Sequence, residues 1–133
     1  MTYLLDTHVW IWSQDCPDKL GTQTRKILEN SQSKLLVSTV STLEMAQLVS
    51  VGRLELKGSL KHWVNKSLEF LLADTVEISH DIARRAYELK EPFHKDPADR
   101  LIISTALCSK GCLITADEKI LKYSHVETQD ARE

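Results

Sequence analysis

Short apolar runs recur along the chain. Tyr3-Leu4-Leu5, Leu35-Leu36-Val37 and Cys112-Leu113-Ile114 are each bounded by polar residues, as expected for strands buried on both faces of a parallel sheet. Val76-Glu77-Ile78 is a weaker strand, and Val126 to Gln129 reads as a frayed edge strand. Helical spacing between these runs predicts helices over about 18–30, 41–51, 59–72, 80–90 and 97–109. The order β-α-β-α-α-β-α-α-β implies an α/β fold, a three-layer α/β/α sandwich around a parallel central sheet of four to five strands. Only four Gly and three Pro punctuate the chain, and no repeat or linker breaks it, so residues 1–133 are expected to form a single domain. At this length the core hides roughly two-thirds of the surface that the unfolded chain exposes.

Four carboxylates stand where apolar runs meet turns or helix starts. Asp6 closes the first run, Glu44 follows the second at a helix start, Asp117 follows the fourth, and Asp99 sits at the start of the last long helix. In an open α/β sheet the strand exits share one edge, and ligands bind there. Carboxylates gathered at such an edge repel one another unless a divalent cation neutralises them. The hard cations Mg²⁺ and Mn²⁺ take oxygen ligands, so converging Asp6, Glu44, Asp99 and Asp117 suit either ion and point to metal-assisted attack on a phosphate.

Each acid also has an ordinary explanation. Ser41-Thr42-Leu43-Glu44 has the form of a capping box, in which Glu44 reaches back to the Ser41 N–H. Asp96-Pro97-Ala98-Asp99 is a helix start with Asp96 as N-cap and Pro97 at the first helical position. Asp99 fits that explanation less well, because Ile102, Ile103 and Ala106 place it on the apolar stripe of its helix. Asp6 and Asp117, taken singly, are turn residues after strands. Thr7 and Thr115 flank two of the acids with hydroxyls suited to hold a carboxylate or a phosphate, or simply to bond strand ends.

Composition narrows the partners. Seventeen Lys and Arg against nineteen Asp and Glu give a formal charge of −2, so no global basic field draws in a polyanion, and any phosphate must be held locally. The three cysteines form no C-x-x-C pair and read as reduced thiols, with Gly111 ending the helix between the last two. No basic leader precedes the first strand and no apolar stretch reaches the ~18 residues of a membrane span, which together imply a cytoplasmic protein without membrane attachment. Neither G-x-G-x-x-G nor a P-loop occurs. The five His are scattered singly and form no zinc pattern.

Four segments together carry a family resemblance. Leu4-Leu5-Asp6-Thr7-His8-Val9-Trp10, Val37-Ser38 through Leu43-Glu44, His94-Lys95-Asp96-Pro97-Ala98-Asp99-Arg100 and Leu113-Ile114-Thr115-Ala116-Asp117 resemble the successive motifs of PIN-domain ribonucleases, and more narrowly of VapC-type toxins. The resemblance spans residues 3 to about 128. It implies Mg²⁺- or Mn²⁺-dependent cleavage of an RNA substrate, with Asp6, Glu44, Asp99 and Asp117 as catalytic metal ligands and products bearing a 5′-phosphate and a 3′-hydroxyl. It also implies a cognate antitoxin, a homodimer and a toxin–antitoxin hetero-oligomer. The chain departs from many similar toxins at Ala98, where they carry a bulky aromatic, and at Leu48, where some carry a lysine.

Arg100, Lys95 and His94 neighbour the acids in sequence. Arg100 is expected either to contact backbone phosphate or to pair with a nearby acid, and His94 to do the former or to pack under the Asp96 helix start. Trp10, Trp12 and Trp63 are first of all core or interface residues, with base stacking as the functional alternative. Lys110, Lys119 and Lys122 read as a solvated face. Two other classes compete with the nuclease. One is an Mg²⁺-dependent phosphotransfer domain, which lacks here its paired acids at the first strand. The other is a non-catalytic interaction module whose acidic pocket receives a basic partner segment.

Overall fold

The computed structural model describes residues 1–133. Five strands, β1 (Thr2–Leu5), β2 (Lys34–Ser38), β3 (Asp74–Val76), β4 (Cys112–Thr115) and β5 (Thr128–Asp130), form one sheet in the order β3-β2-β1-β4-β5. All pairings are parallel. Register explains the apolar runs. Leu4 lies opposite Leu36 and Leu113, while Leu5 lies opposite Val37 and Ile114, so alternate residues of three adjacent strands face opposite layers.

Both layers are filled. On one face Leu4, Leu36 and Leu113 pack with Ile102, Ile103 and Ala106 of α6 (Pro97–Cys108) and with Ile120 of α7 (Glu118–Leu121). On the other, Leu5, Val37 and Ile114 pack with Val9 and Trp10 of α1 (Thr7–Asp15) and Met45 of α3 (Thr39–Ser50). Side chains of α2 (Thr22–Glu29) and α4 (Leu60–Leu71) complete that layer. The expected three-layer sandwich is present.

Several boundaries differ from the sequence expectation. Helix α1 was not anticipated, because Val9 to Trp12 is a continuous apolar run with no amphipathic period and Asp6-Thr7-His8 reads as a turn. The helix expected over 18–30 is a single 3₁₀ turn, Pro17–Lys19, followed by α2. The helix expected over 80–90 stops as α5 (His80–Arg85), where the Tyr87 and Glu88 N–H groups bond carbonyls three residues back, and the Ala86 carbonyl accepts from Arg100 Nη1 at 3.1 Å. Gly111 does not end α6 by a left-handed turn. Lys110 takes that conformation at φ 52°, and the Gly111 N–H closes the end on the Ala106 carbonyl at 2.9 Å. The three cysteines are unpaired, and no helix is long and apolar enough to cross a membrane.

Candidate active site

The sheet order places β1 at the centre, with β2 and β4 on either side, so the residues after these three strands meet at one edge. Asp6, Glu44, Asp99 and Asp117 all line one cleft of about 270 Å³ there, together with Thr7, His8, Ile11, Gln47 and Leu48. Residues scattered over more than a hundred positions of sequence thus share a single pocket.

Asp6 is the most firmly held. It is buried, its Oδ1 accepts from the Thr7 N–H at 2.8 Å as the N-cap of α1, and its Oδ2 accepts from the Thr115 hydroxyl at 2.7 Å. Thr115 Oγ1 in turn accepts from the Asp117 N–H at 3.0 Å, so one hydroxyl fixes Asp6 and the backbone of Asp117 together. Asp117 caps α7, its Oδ1 accepting from the Lys119 N–H at 2.8 Å. The capping and turn roles expected of these acids are therefore real. These bonds hold both oxygens of Asp6 and one of Asp117, and both acids stay on the cleft wall.

Glu44 is different. Helix α3 begins two residues before the expected box, with Ser38 Oγ accepting from the Val40 N–H at 3.1 Å. Glu44 lies in the second turn and does not cap. Its Oε1 is 2.5 Å from Thr7 Oγ1, which is also 2.9 Å from Ser41 Oγ. Thr7 has one hydroxyl proton and the carboxylate needs a donor, so Thr7 donates to Glu44 and Ser41 donates to Thr7. Ser41 is thus a supporting residue that its apparent role in a capping box concealed.

Asp96 is the N-cap of α6, accepting from the Asp99 N–H at 3.2 Å. Asp99 stands one turn in, its side chain 20% exposed, with Oδ2 3.1 Å from His94 Nε2. His94 Nδ1 accepts from the Asp96 N–H at 3.3 Å, which leaves the ring proton on Nε2, facing Asp99. His8 is fixed in a similar way: its Nε2 accepts from the Ala116 N–H at 2.9 Å, stitching α1 to the turn after β4. These two histidine roles left only the D-T-H and H-x-D spacings as signals in the sequence.

Arg100 is turned into the fold. Its side chain is 7% exposed and donates to Glu91 Oε1 at 3.2 Å and to the carbonyls of Ala86, Phe93 and His94 at 2.9–3.1 Å, with Tyr87 and Phe93 rings against the guanidinium. The alternative expectation, a pair with a nearby acid, is the one the structure contains. Among the tryptophans, Trp10 is fully buried and donates to Ser67 Oγ at 2.9 Å, whereas Trp12 and Trp63 are partly exposed.

The cleft concentrates negative charge. Burial, then the nearby carboxylates of Asp96, Asp117, Asp6 and Glu44, push the Asp99 carboxyl up to about 7. Burial also raises Glu44, partly offset by the Thr7 hydroxyl and reinforced by Asp6 and Asp96. As they stand, no three of the His, Cys, Asp and Glu side chains are close enough to close around one ion. Burial is the larger cause of the raised Asp99 and Glu44 carboxyls, and the neighbouring carboxylates add to it. The donor set nevertheless fits a hard divalent cation: it is all carboxylate and hydroxyl oxygen, on a wall held in place by Thr7 and Thr115.

The PIN domain family model matches residues 3–126. The chain is also 32% identical over 124 residues to Ribonuclease VapC22 of Mycobacterium tuberculosis, covering 93% of each. This chain belongs to the PIN-domain family, and within it to the VapC type. The PIN fold is shared with VapBC2 from Rickettsia felis, solved bound to a DNA fragment from their promoter, at 19% identity and a TM-score of 0.68 over 97% of this chain and 98% of that one. VapBC-1 from nontypeable Haemophilus influenzae is similar at 16% identity and a TM-score of 0.63 over the whole of both chains. For this PIN domain, the sequence resemblance and the α/β expectation are therefore correct.

Proposed function

We propose that this PIN domain is a Mg²⁺- or Mn²⁺-dependent endoribonuclease and the toxin member of a toxin–antitoxin pair. The observation that carries the reading is the gathering of Asp6, Glu44, Asp99 and Asp117 on one cleft at the carboxyl edge of the sheet, with Asp99 raised by burial and by its neighbours. Its support from relatives is the name of the 32% identical ribonuclease and the toxin–antitoxin complex from Klebsiella pneumoniae that shares the fold at a TM-score of 0.68.

Asp6, Glu44 and Asp99 are the residues to hold the ion, with Asp117 completing the site. When bound, a divalent ion there supplies Lewis-acid charge and lowers the pKa of water enough to furnish a nucleophile at neutral pH. The chain's own contribution is positional. Thr115 and the Thr7 N–H fix both oxygens of Asp6, the Thr7 hydroxyl orients Glu44, and His94 faces Asp99. No side chain is required as nucleophile. Membership of the PIN family supports the nuclease reading over the phosphotransfer alternative.

A neutralising partner must offset the same charge, so the blocking segment of a cognate antitoxin carries Arg or Lys into the cleft. A separate hollow of about 480 Å³ by the start of β2, which shares no residue with the cleft, mixes Leu20, Leu28, Leu35, Phe70, Leu71 and Leu72 with seven other residues that include Arg25 and Glu29, so an amphipathic part of the segment that uses it must extend well beyond the cleft. A homodimer and a larger toxin–antitoxin assembly belong to the same proposal.

The test is incubation of antitoxin-free protein with single-stranded RNA in Mn²⁺, with and without excess chelator. Cleavage in Mn²⁺ alone, leaving 5′-phosphate ends, is expected. Cleavage that persists in chelator rejects the metal mechanism, and no cleavage in either condition favours the non-catalytic interaction module.

A further inference from the structure

Beside the acid cleft lies a second, shallower hollow of about 310 Å³, lined by His8, Trp12, Ala116 and Asp117. His8 and Asp117 also line the cleft, so the two are contiguous. A spacing of four puts His8 and Trp12 on one face of α1, and their rings lie 5.0 Å apart between centroids at 56°. His8 is anchored by the Ala116 N–H, which makes the wall of the hollow rigid.

Trp12 differs from the other two tryptophans. The Trp10 indole N–H donates to Ser67 and that of Trp63 reaches Asp15, and the two rings pack edge to face at 5.0 Å. Trp12 is partly exposed and its indole N–H has no acceptor within the protein. The ammonium of Lys19, an exposed residue with no ion pair, lies over its ring at 5.4 Å. Packing accounts for the inner edge of this indole but not for its open side beside a cation.

We propose that the hollow of Trp12, His8 and Ala116 beside Asp117 is a nucleobase site, taking the base of a nucleotide next to the phosphate held in the acid cleft. The proposal rests on the nuclease reading for that phosphate. A base and its own phosphate are separated only by a sugar, so a base site must adjoin the phosphate site, as the shared residues His8 and Asp117 require. The aromatic face stacks on any base, while the free indole N–H and the side chain of Asp117 offer a donor and an acceptor for its edge.

The experiment measures binding, by fluorescence anisotropy, of a labelled single-stranded RNA and of a series in which one nucleotide at a time is abasic. It uses the Asp99→Asn protein in Mg²⁺, so that cleavage does not intervene. We expect an abasic residue at one position to weaken binding about tenfold. Trp12→Leu, which keeps apolar bulk against the core, should weaken the intact RNA by the same factor and make the protein indifferent to that abasic position. Trp12→Phe should retain most of the affinity. Equal sensitivity to every abasic position before and after Trp12→Leu, or no measurable binding of intact RNA, overturns the proposal. Cleavage by the wild type, followed separately with and without chelator, reports on the nuclease reading. Lost cleavage with preserved coupling would reject that reading alone, and preserved cleavage without coupling would reject the base site alone.

Discussion

Asp99 and Arg100 are consecutive on α6 and meet opposite electrostatic fates. Asp99 is partly buried and faces other carboxylates, and both push it up to about 7. Arg100 is turned by about 100° along the helix. It goes into the fold, where Glu91, three backbone carbonyls and two aromatic rings surround it. The fold is thus able to satisfy a buried charge when it serves structure. Around Asp99 it gathers acids instead: Asp6, Glu44 and Asp117 share its cleft, each with hydrogen-bond donors but none with an Arg or Lys partner.

The contrast is broken most severely at the acids themselves. Asp6→Asn or Asp99→Asn should lower RNA cleavage by about a hundredfold or more, given that loss of a ligand's outer partner alone costs about 10–100-fold. Circular dichroism should show the fold intact. Full activity in Asp6→Asn would remove Asp6 from the chemistry.

The structural half is tested by Arg100→Met, expected to lower unfolding free energy by about 2–4 kcal/mol in urea titrations. Most of that loss comes from the carbonyls of Ala86, Phe93 and His94, because Glu91 is 63% exposed and regains water. Arg100→Lys should rescue little, since an ammonium lacks the planar fork.

Smaller effects sharpen the comparison through pH and metal. Asp99 is raised from 3.8 to about 7, so the folded state holds its proton more tightly than the unfolded state. The resulting stability is full below about 3.8 and is lost as pH rises through about 7. In chelator, Asp99→Asn should therefore melt progressively higher than wild type as pH climbs through that window. Millimolar Mg²⁺ or Mn²⁺ should raise the wild-type melting temperature at neutral pH, and Asp6→Asn should shrink the rise. A melting curve indifferent to divalent ions would return these acids to capping and turn roles alone. Smallest of all, Asp96→Asn should change stability by less than about 0.5 kcal/mol, because Asn is an equally good N-cap.

The legible parts of the sequence were those governed by short-range pattern. The continuous apolar runs Tyr3 to Leu5, Leu35 to Val37 and Cys112 to Ile114 follow directly from burial on both faces, and Asp96-Pro97 marks a helix start whatever surrounds it. What stayed hidden depends on partners far along the chain. Helix α1 shows no amphipathic period because Val9 and Trp10 are buried while Ile11 and Trp12 also meet neighbouring elements. Glu44 looked like half of a capping box until Thr7, 37 positions away, was seen to hold it. The Arg100 side chain could not be placed because three of its acceptors are carbonyls, which every residue has. The grouping of the acids was readable from strand exits, whereas the threonines that orient them needed coordinates.

The position of β1 at the centre of the sheet has a consequence for the order of events during synthesis. Its second partner, β4, pairs Tyr3 with Cys112 and Leu5 with Ile114, so the first strand made waits for almost the last. Until then the Asp6 N–H lacks the Ile114 carbonyl, Asp6 Oδ2 lacks the Thr115 hydroxyl, and Asp117 does not exist. A growing chain on the ribosome therefore carries no assembled cleft through most of its translation, and competence arrives late and all at once.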